Sequence, residues 1–213
     1  MAGRTEAGLQ TGAAIRSKAA ELFVAHGYEA TSLRQISDAV GIKVGSLYNH
    51  ISSKEALLQQ ILGATMDDLL ANLSAALDGV DDPVERLIRM LDVHIRFHAE
   101  RAQSVFLGNS ELRSLQPEDR EEVVAKRRAY REQIERLITE AGEAGRADVL
   151  DAHLHAFSIV AQGTHIASWY RPRGPLTLDE IVRRYSIMAL REIGIADAAE
   201  LFEPAAKSSA KAK

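Results

Sequence analysis

Cysteine is absent from the sequence, which excludes disulfides, thiolate nucleophiles and cysteine-held metals. Aromatics are only 5% of residues and proline occurs five times, between apolar stretches, while Ala and Leu are abundant. That balance favours helix over sheet. The opening "MAGRTEAGLQTGAA" carries no apolar core segment, so no secretory leader is expected. No uninterrupted apolar run approaches the roughly 20 residues of a membrane span. Catalytic signatures are missing as well: there is no G-x-S-x-G, no glycine-rich phosphate loop and no carboxylate pair placed for acid–base work. The expectation is a soluble cytoplasmic protein with no cofactor, no metal and no enzymatic activity.

Charge of one sign is scarce in the first part of the chain. Residues 1–60 hold six Lys/Arg against five Asp/Glu, a net +1, and the remainder carries −5 of the total −4. Net charge governs solubility and leaves open what a local face binds.

What is present is helical punctuation. Ile15, Ala19, Leu22, Phe23 and His26 recur at helical spacing, and Gly27 ends that run. Ser32 with Gln35 forms a capping box that starts a second helix at Leu33, with Leu33, Ile36 and Val40 on one face. Gly41 stops it after two turns. "KVGSLYNHI" (43–51) reads as another short helix with Leu47 and Ile51 inward. Ser52 with Glu55 reads as a second capping box, opening a long helix from Lys54 to about Leu77. Asp82-Pro83-Val84-Glu85 starts a helix to about Ala99, with Asp as N-cap and Pro in the first turn. Further helices are expected over 101–115, 117–142, 149–170 and, from the Thr177/Glu180 capping box, to about Ile193. The fold class is all-α, with a small N-terminal domain (9–69), a larger helical domain (70–200) and a disordered tail (201–213).

Two short helices joined by a glycine turn make a helix-turn-helix over 32–51, with Ser37 as the small residue where the helices approach. Such a motif lays its second helix in the DNA major groove. Lys43, Val44, Gly45 and Ser46 occupy the first turn of that helix, the part that reaches base edges. Tyr48, Asn49, His50 and Lys54 follow within one polar stretch, suited to phosphates, and Thr31 and Ser32 stand at the start of the preceding helix. Each has a plainer reading: Tyr48 as a packing aromatic, Thr31 as a cap, His50 as a solvated side chain.

The segment "GYEATSLRQISDAVGIKVGSLYNHISSKEALL" (27–58) resembles the DNA-binding domain of TetR-family transcriptional regulators, and the resemblance spans about 9–69. Ile51 departs from it, standing where that family usually carries Phe, and the Lys43-Val44 pair implies an individual operator. The resemblance implies an all-helical homodimer on an inverted-repeat site in double-stranded DNA, with dimerisation through the last two helices and a C-terminal ligand that controls DNA release. More narrowly, 109–131 and 167–185 resemble the subgroup that senses acyl-CoA thioesters.

For that ligand, Phe97, Phe106 and Trp169 offer apolar surface. His94, His98, Asn109, Arg113 and His165 offer polar groups, and Arg127, Arg128 and Arg171 lie farther on. Trp169 reads equally as a core aromatic. Phe157, Ile159, Val160, Ile187 and Leu190 exceed one buried stripe and point to a dimer interface. His94 and His98 sit four apart, the spacing of a metal pair, but no nearby acid completes a set. Two rival readings remain: a metal-dependent helical enzyme using those histidines, and a chromosome-coating dimer without ligand control.

Overall fold

The computed structural model describes residues 6–203, and among them every regular element is helical. The α-helices are α1 (Glu6–His26), α2 (Leu33–Val40), α3 (Val44–Leu47), α4 (Lys54–Leu77), α5 (Pro83–Glu100), α6 (Ala102–Ser110), α7 (Pro117–Glu143), α8 (Ala152–Trp169) and α9 (Leu178–Glu192). Single 3-10 turns cover Leu112–Ser114 and Glu200–Phe202.

The caps explain most of these boundaries. The Ser32 hydroxyl accepts from the Gln35 N–H while the Gln35 side chain receives the Ser32 N–H, and Thr177 and Glu180 repeat the arrangement. Asp82 accepts from the Val84 and Glu85 N–H groups at 3.0 and 2.9 Å. At α4 the expected cap is displaced by one residue: Ser53, not Ser52, accepts from Ala56 N–H. At α8 the Asp151 carboxylate accepts from Leu154 N–H, so the helix begins at Ala152 rather than Val149.

The helix expected over 43–51 is shorter, with α3 regular for one turn only. Past Leu47 the chain tightens into three-residue turns, Asn49 N–H to Ser46 O and His50 N–H to Leu47 O. That tightening brings Ile51 into the core. Of the expected tail, Leu201 and Phe202 belong to the last 3-10 turn, and Phe202 packs against the C-terminal core. The rest of that tail, 204–213, lies outside the described residues.

Two interiors result. The first gathers Phe23, Ile36, Leu47, Leu57 and Leu58 from α1–α4. The second surrounds α5, which packs against α4, α7, α8 and α9. The boundary between them does not follow the sequence division at 69/70. Leu107 of α6, Leu115 just after the 3-10 turn and Val123 of α7 are buried in the first interior, and Met66 of α4 touches both.

Candidate DNA-binding surface and ligand cavity

The turn between α2 and α3 depends on Gly41, whose φ of 77° is left-handed and whose N–H returns to the Asp38 and Ser37 carbonyls. Ser37 is fully buried beside it, its hydroxyl donating to the Arg34 carbonyl at 2.8 Å. Ile36, Leu47 and Ile51 anchor the inner faces, so the outer faces are left to other residues. Lys43, Gly45, Ser46, Tyr48 and Asn49 are exposed along one edge, with Val44 and His50 half-buried beside them.

Two expected phosphate contacts, Thr31 and Lys54, are corrected by the hydrogen bonds. Thr31 is 2% exposed, and its hydroxyl bonds the Gly27 carbonyl at 2.8 Å. It ties the α1–α2 turn and has no face to solvent. Ser32 stays exposed, but its hydroxyl proton goes to Gln35 Oε1 at 2.8 Å. Lys54 is turned inward: its side chain is 19% exposed, and Nζ donates to the carbonyls of Tyr28, Glu29 and Thr31 at 3.0, 3.2 and 3.3 Å. The ammonium also sits 4.5 Å from the centroid of the Tyr28 ring. Lys54 therefore latches α4 to the α1–α2 turn. Spacing along the chain reveals proximity to α2, not the direction in which a long side chain folds back.

In the C-terminal half, α4, α5, α6, α7 and α8 line a cavity of about 700 Å³, within the range of small-molecule sites. Of the expected ligand residues, His94, Phe97, His98, Phe106, Asn109 and His165 line it. Arg113 does not: it lies exposed in the 3-10 turn after α6. Trp169 is also outside the lining, stacked on Tyr185 of α9 with centroids 6.1 Å apart. Thr65 and Met66 of α4, Tyr130 of α7 and Thr164 of α8 line the cavity and were not anticipated. For Thr65, Tyr130 and Thr164 the signal was available only as polar positions interrupting otherwise apolar helical faces.

The polar part of this wall is a connected set. His94 Nδ1 lies 2.9 Å from the Tyr130 hydroxyl, and Nε2 lies 3.3 Å from the Val160 carbonyl. His98 Nδ1 lies 2.7 Å from the His94 carbonyl, and Nε2 lies 3.2 Å from the Thr164 hydroxyl. Burial lowers the affinity of both rings for a proton. His98 falls to about 4, with the nearby Arg127 guanidinium adding to the effect, and His94 is lowered further by His98. Gly163 makes room for this arrangement, since a Cβ there would run into the His94 ring. With these nitrogens bound to protein carbonyls and hydroxyls, the two histidines do not form a metal pair. Among the described residues no cluster of three or more His, Asp or Glu side chains is placed to hold a metal.

Arg127 is the one lining residue with a full charge. Its Nη2 donates to the Gly108 carbonyl at 2.7 Å, and burial alone, with no carboxylate, shifts its proton affinity, downward.

The α8–α9 side exposes apolar surface. Phe157 is 51% exposed, and Leu154, Met188 and Trp169 are exposed as well. Val160 and Ile187 are half-buried. Leu190, expected at an interface, is fully buried within the protomer, and Ile159 is buried too. Both belong to the core around α5, on which α8 and α9 pack. Among the described residues no helix is long and apolar enough to cross a membrane.

Two family models match the chain. One, described as bacterial regulatory proteins of the tetR family, covers residues 15–61, and the other, a tetracyclin repressor-like C-terminal domain, covers 80–193. The transcriptional repressor KstR2 of Mycobacterium tuberculosis H37Rv is 30% identical over 176 residues, 81% of this chain and 87% of that protein. A tetR-family regulatory protein from Rhodococcus RHA1 superposes with a TM-score of 0.81 at 31% identity, covering 88% of this chain and 98% of that one. AibR, solved in complex with isovaleryl coenzyme A and operator DNA, superposes at 0.77 with 28% identity over 84% of this chain and 98% of that one. With a helix-turn-helix at one end and a cavity among the helices at the other, and with both family models matched in order, this chain belongs to the TetR family of transcriptional regulators.

Proposed function

We propose that the protein is a homodimeric repressor that leaves an inverted-repeat operator when a coenzyme A thioester occupies the cavity. The observation that carries the reading is a largely apolar cavity of about 700 Å³ holding one guanidinium without a carboxylate partner. An apolar acyl chain suits the lining, and a polar thioester arm suits Arg127. The KstR2 relative is named a repressor, and the AibR neighbour was solved with a coenzyme A thioester and DNA.

On the DNA side, Lys43, Val44, Gly45 and Ser46 read base edges, and Tyr48, Asn49 and His50 meet phosphates. Gly45 supports this assignment. A Cβ there would meet nothing within the protein, and its φ is not left-handed, so no internal contact requires glycine. The missing side chain leaves room for close approach of the backbone to DNA.

Dimerisation covers Leu154, Phe157 and Met188. Each large apolar side chain taken from water contributes about 1.5–3 kcal/mol. Two-fold symmetry of the dimer then sets the symmetry of the operator.

Release follows from shared walls. Leu62 and Val123 border the cavity and also belong to the N-terminal interior, and α6 turns Gly108 to the cavity and Leu107 to that interior. A ligand that shifts α6 moves the packing of α1 and α4 beneath the recognition helix. Tenfold weaker operator binding needs a preference for the released form of only about 1.4 kcal/mol.

The test is selection of bound DNA from random sequence, followed by displacement with a panel of acyl-CoA thioesters and the matching free acids. The reading requires an inverted repeat and displacement by thioesters in preference to acids. Equal displacement by the free acids, or none by any thioester, overturns it.

A further inference from the structure

The hydrogen bonds around the two buried histidines fix where the protons of this cluster go. A carbonyl only accepts, so His94 Nε2 must donate to Val160 and His98 Nδ1 must donate to the His94 carbonyl. Both rings are neutral, so His94 Nδ1 and His98 Nε2 are bare acceptors. The Tyr130 hydroxyl therefore spends its single proton on His94, and the Thr164 hydroxyl spends its own on His98. Both residues line the cavity, and their hydroxyls have only lone pairs left to offer. The nearby Arg127 is the reverse. It offers N–H groups and has no protein partner beyond the Gly108 carbonyl among the described residues.

We propose that the cavity selects, within an otherwise apolar ligand, a polar group that presents an acceptor oxygen to Arg127 and a hydrogen-bond donor to Thr164. This sharpens, and rests on, the coenzyme A thioester reading above. A lone carboxylate or ketone satisfies Arg127 but turns its lone pairs on those of Thr164. A hydroxyl beside a carbonyl, or an amide, satisfies both. Two parts of a thioester carry that chemistry: a 3-hydroxyacyl chain, and the amide of the arm that bears the sulfur.

The experiment is calorimetry on the full chain with four ligands. A saturated acyl group and its 3-hydroxy counterpart are each presented as the coenzyme A thioester and as the N-acetylcysteamine thioester. Thr164→Val keeps shape and removes the lone pairs, Thr164→Ser keeps the hydroxyl, Arg127→Gln removes the charge and Arg127→Lys keeps it. Melting temperature and operator affinity establish that each variant is folded.

Thr164→Val is expected to weaken donor-bearing ligands by about tenfold or more, with Thr164→Ser near wild type. Arg127→Gln is expected to weaken all four ligands, with partial recovery in Arg127→Lys. Loss confined to the 3-hydroxy pair places the donor on the acyl chain, and equal loss across all four places it on the amide. Binding of all four ligands within twofold of wild type in Thr164→Val, or in Arg127→Gln, overturns the proposal. If coenzyme A thioesters still release the operator in that case, the functional reading survives without it. If only the N-acetylcysteamine thioesters bind and Thr164→Val weakens them, this proposal stands and the coenzyme A reading falls. If none of the four binds, both are overturned.

Discussion

The interior beneath the recognition helix and the interior around α5 are built on opposite terms. In the first, the apolar side chains of Phe23, Ile36, Leu47, Leu57 and Leu58 pack together, and the Phe23 and Tyr28 rings meet edge to face at 5.0 Å. The second keeps a cavity of about 700 Å³ and lines it with two neutral histidines, a tyrosine and a guanidinium. A filled interior holds the DNA-reading edge in one shape, whereas an unfilled one leaves room to be reshaped by what enters it.

The comparison breaks most visibly at Leu47, which is fully buried under the recognition edge. Leu47→Ala is expected to cost about 2–5 kcal/mol of unfolding free energy and to abolish operator binding, measured by thermal melts and mobility shift. Phe106→Ala, at the exposed rim of the cavity, should leave stability within about 0.5 kcal/mol.

The histidines give the second-largest effect, and it belongs to the C-terminal interior alone. Their proton affinities are lowered on folding, His98 to about 4 against 6.5 when unfolded, so the unfolded chain binds more protons in this window. Stability is complete above about pH 6.5 and falls as pH drops toward 4. The limit is about 3 kcal/mol for His98, from 1.4 kcal/mol per pH unit. Melts across that range check it, and His98→Gln should flatten the dependence.

Gly163→Ala comes third. The added methyl meets the His94 ring, and overpacking of this kind costs about 1–3 kcal/mol. It should also disturb ligand affinity while sparing the DNA-binding half, which hydrogen exchange resolves by region.

Lys54→Ala is smaller, about 1–2 kcal/mol after allowing for partial exposure of the ammonium. Because the three carbonyls belong to the α1–α2 turn, the loss should appear as local loosening there. Operator affinity is expected to fall without any reduction in the salt slope that removing a phosphate contact produces. Gly45→Ala closes the series: stability within about 0.5 kcal/mol, since nothing in the protein meets the new methyl, yet weaker operator binding.

The all-helical fold and the helix-turn-helix were legible because their determinants are local. Ser32 with Gln35, Asp82 with Pro83, Thr177 with Glu180, and Gly41 each act within four residues of themselves. Where two candidate caps stood side by side, local pattern was insufficient: Ser52 and Ser53 both precede α4, and only the turn geometry after Ile51 selects Ser53. Side-chain direction was the larger gap. Thr31 and Lys54 fold inward because of carbonyls on the α1–α2 turn. Leu190 faces inward because α5 passes behind α9, a tertiary fact that helical periodicity does not carry. The cavity was half legible. His94, Phe97 and His98 announce themselves on one face of α5, but Thr164 and Tyr130 matter only through partners 66 and 36 residues away.

The burial of Leu107, Leu115 and Val123 in the DNA-reading half bears on how freely such regulators can be recombined. A chimera joined at residue 69 or 70, with a foreign sensor grafted onto these first helices, would bring three stranger side chains into the host interior. The exchangeable unit is therefore not a contiguous stretch of chain. A working hybrid has to carry those three positions along with the N-terminal parent, and a sensor engineered for a new ligand inherits constraints from a DNA sequence it never touches.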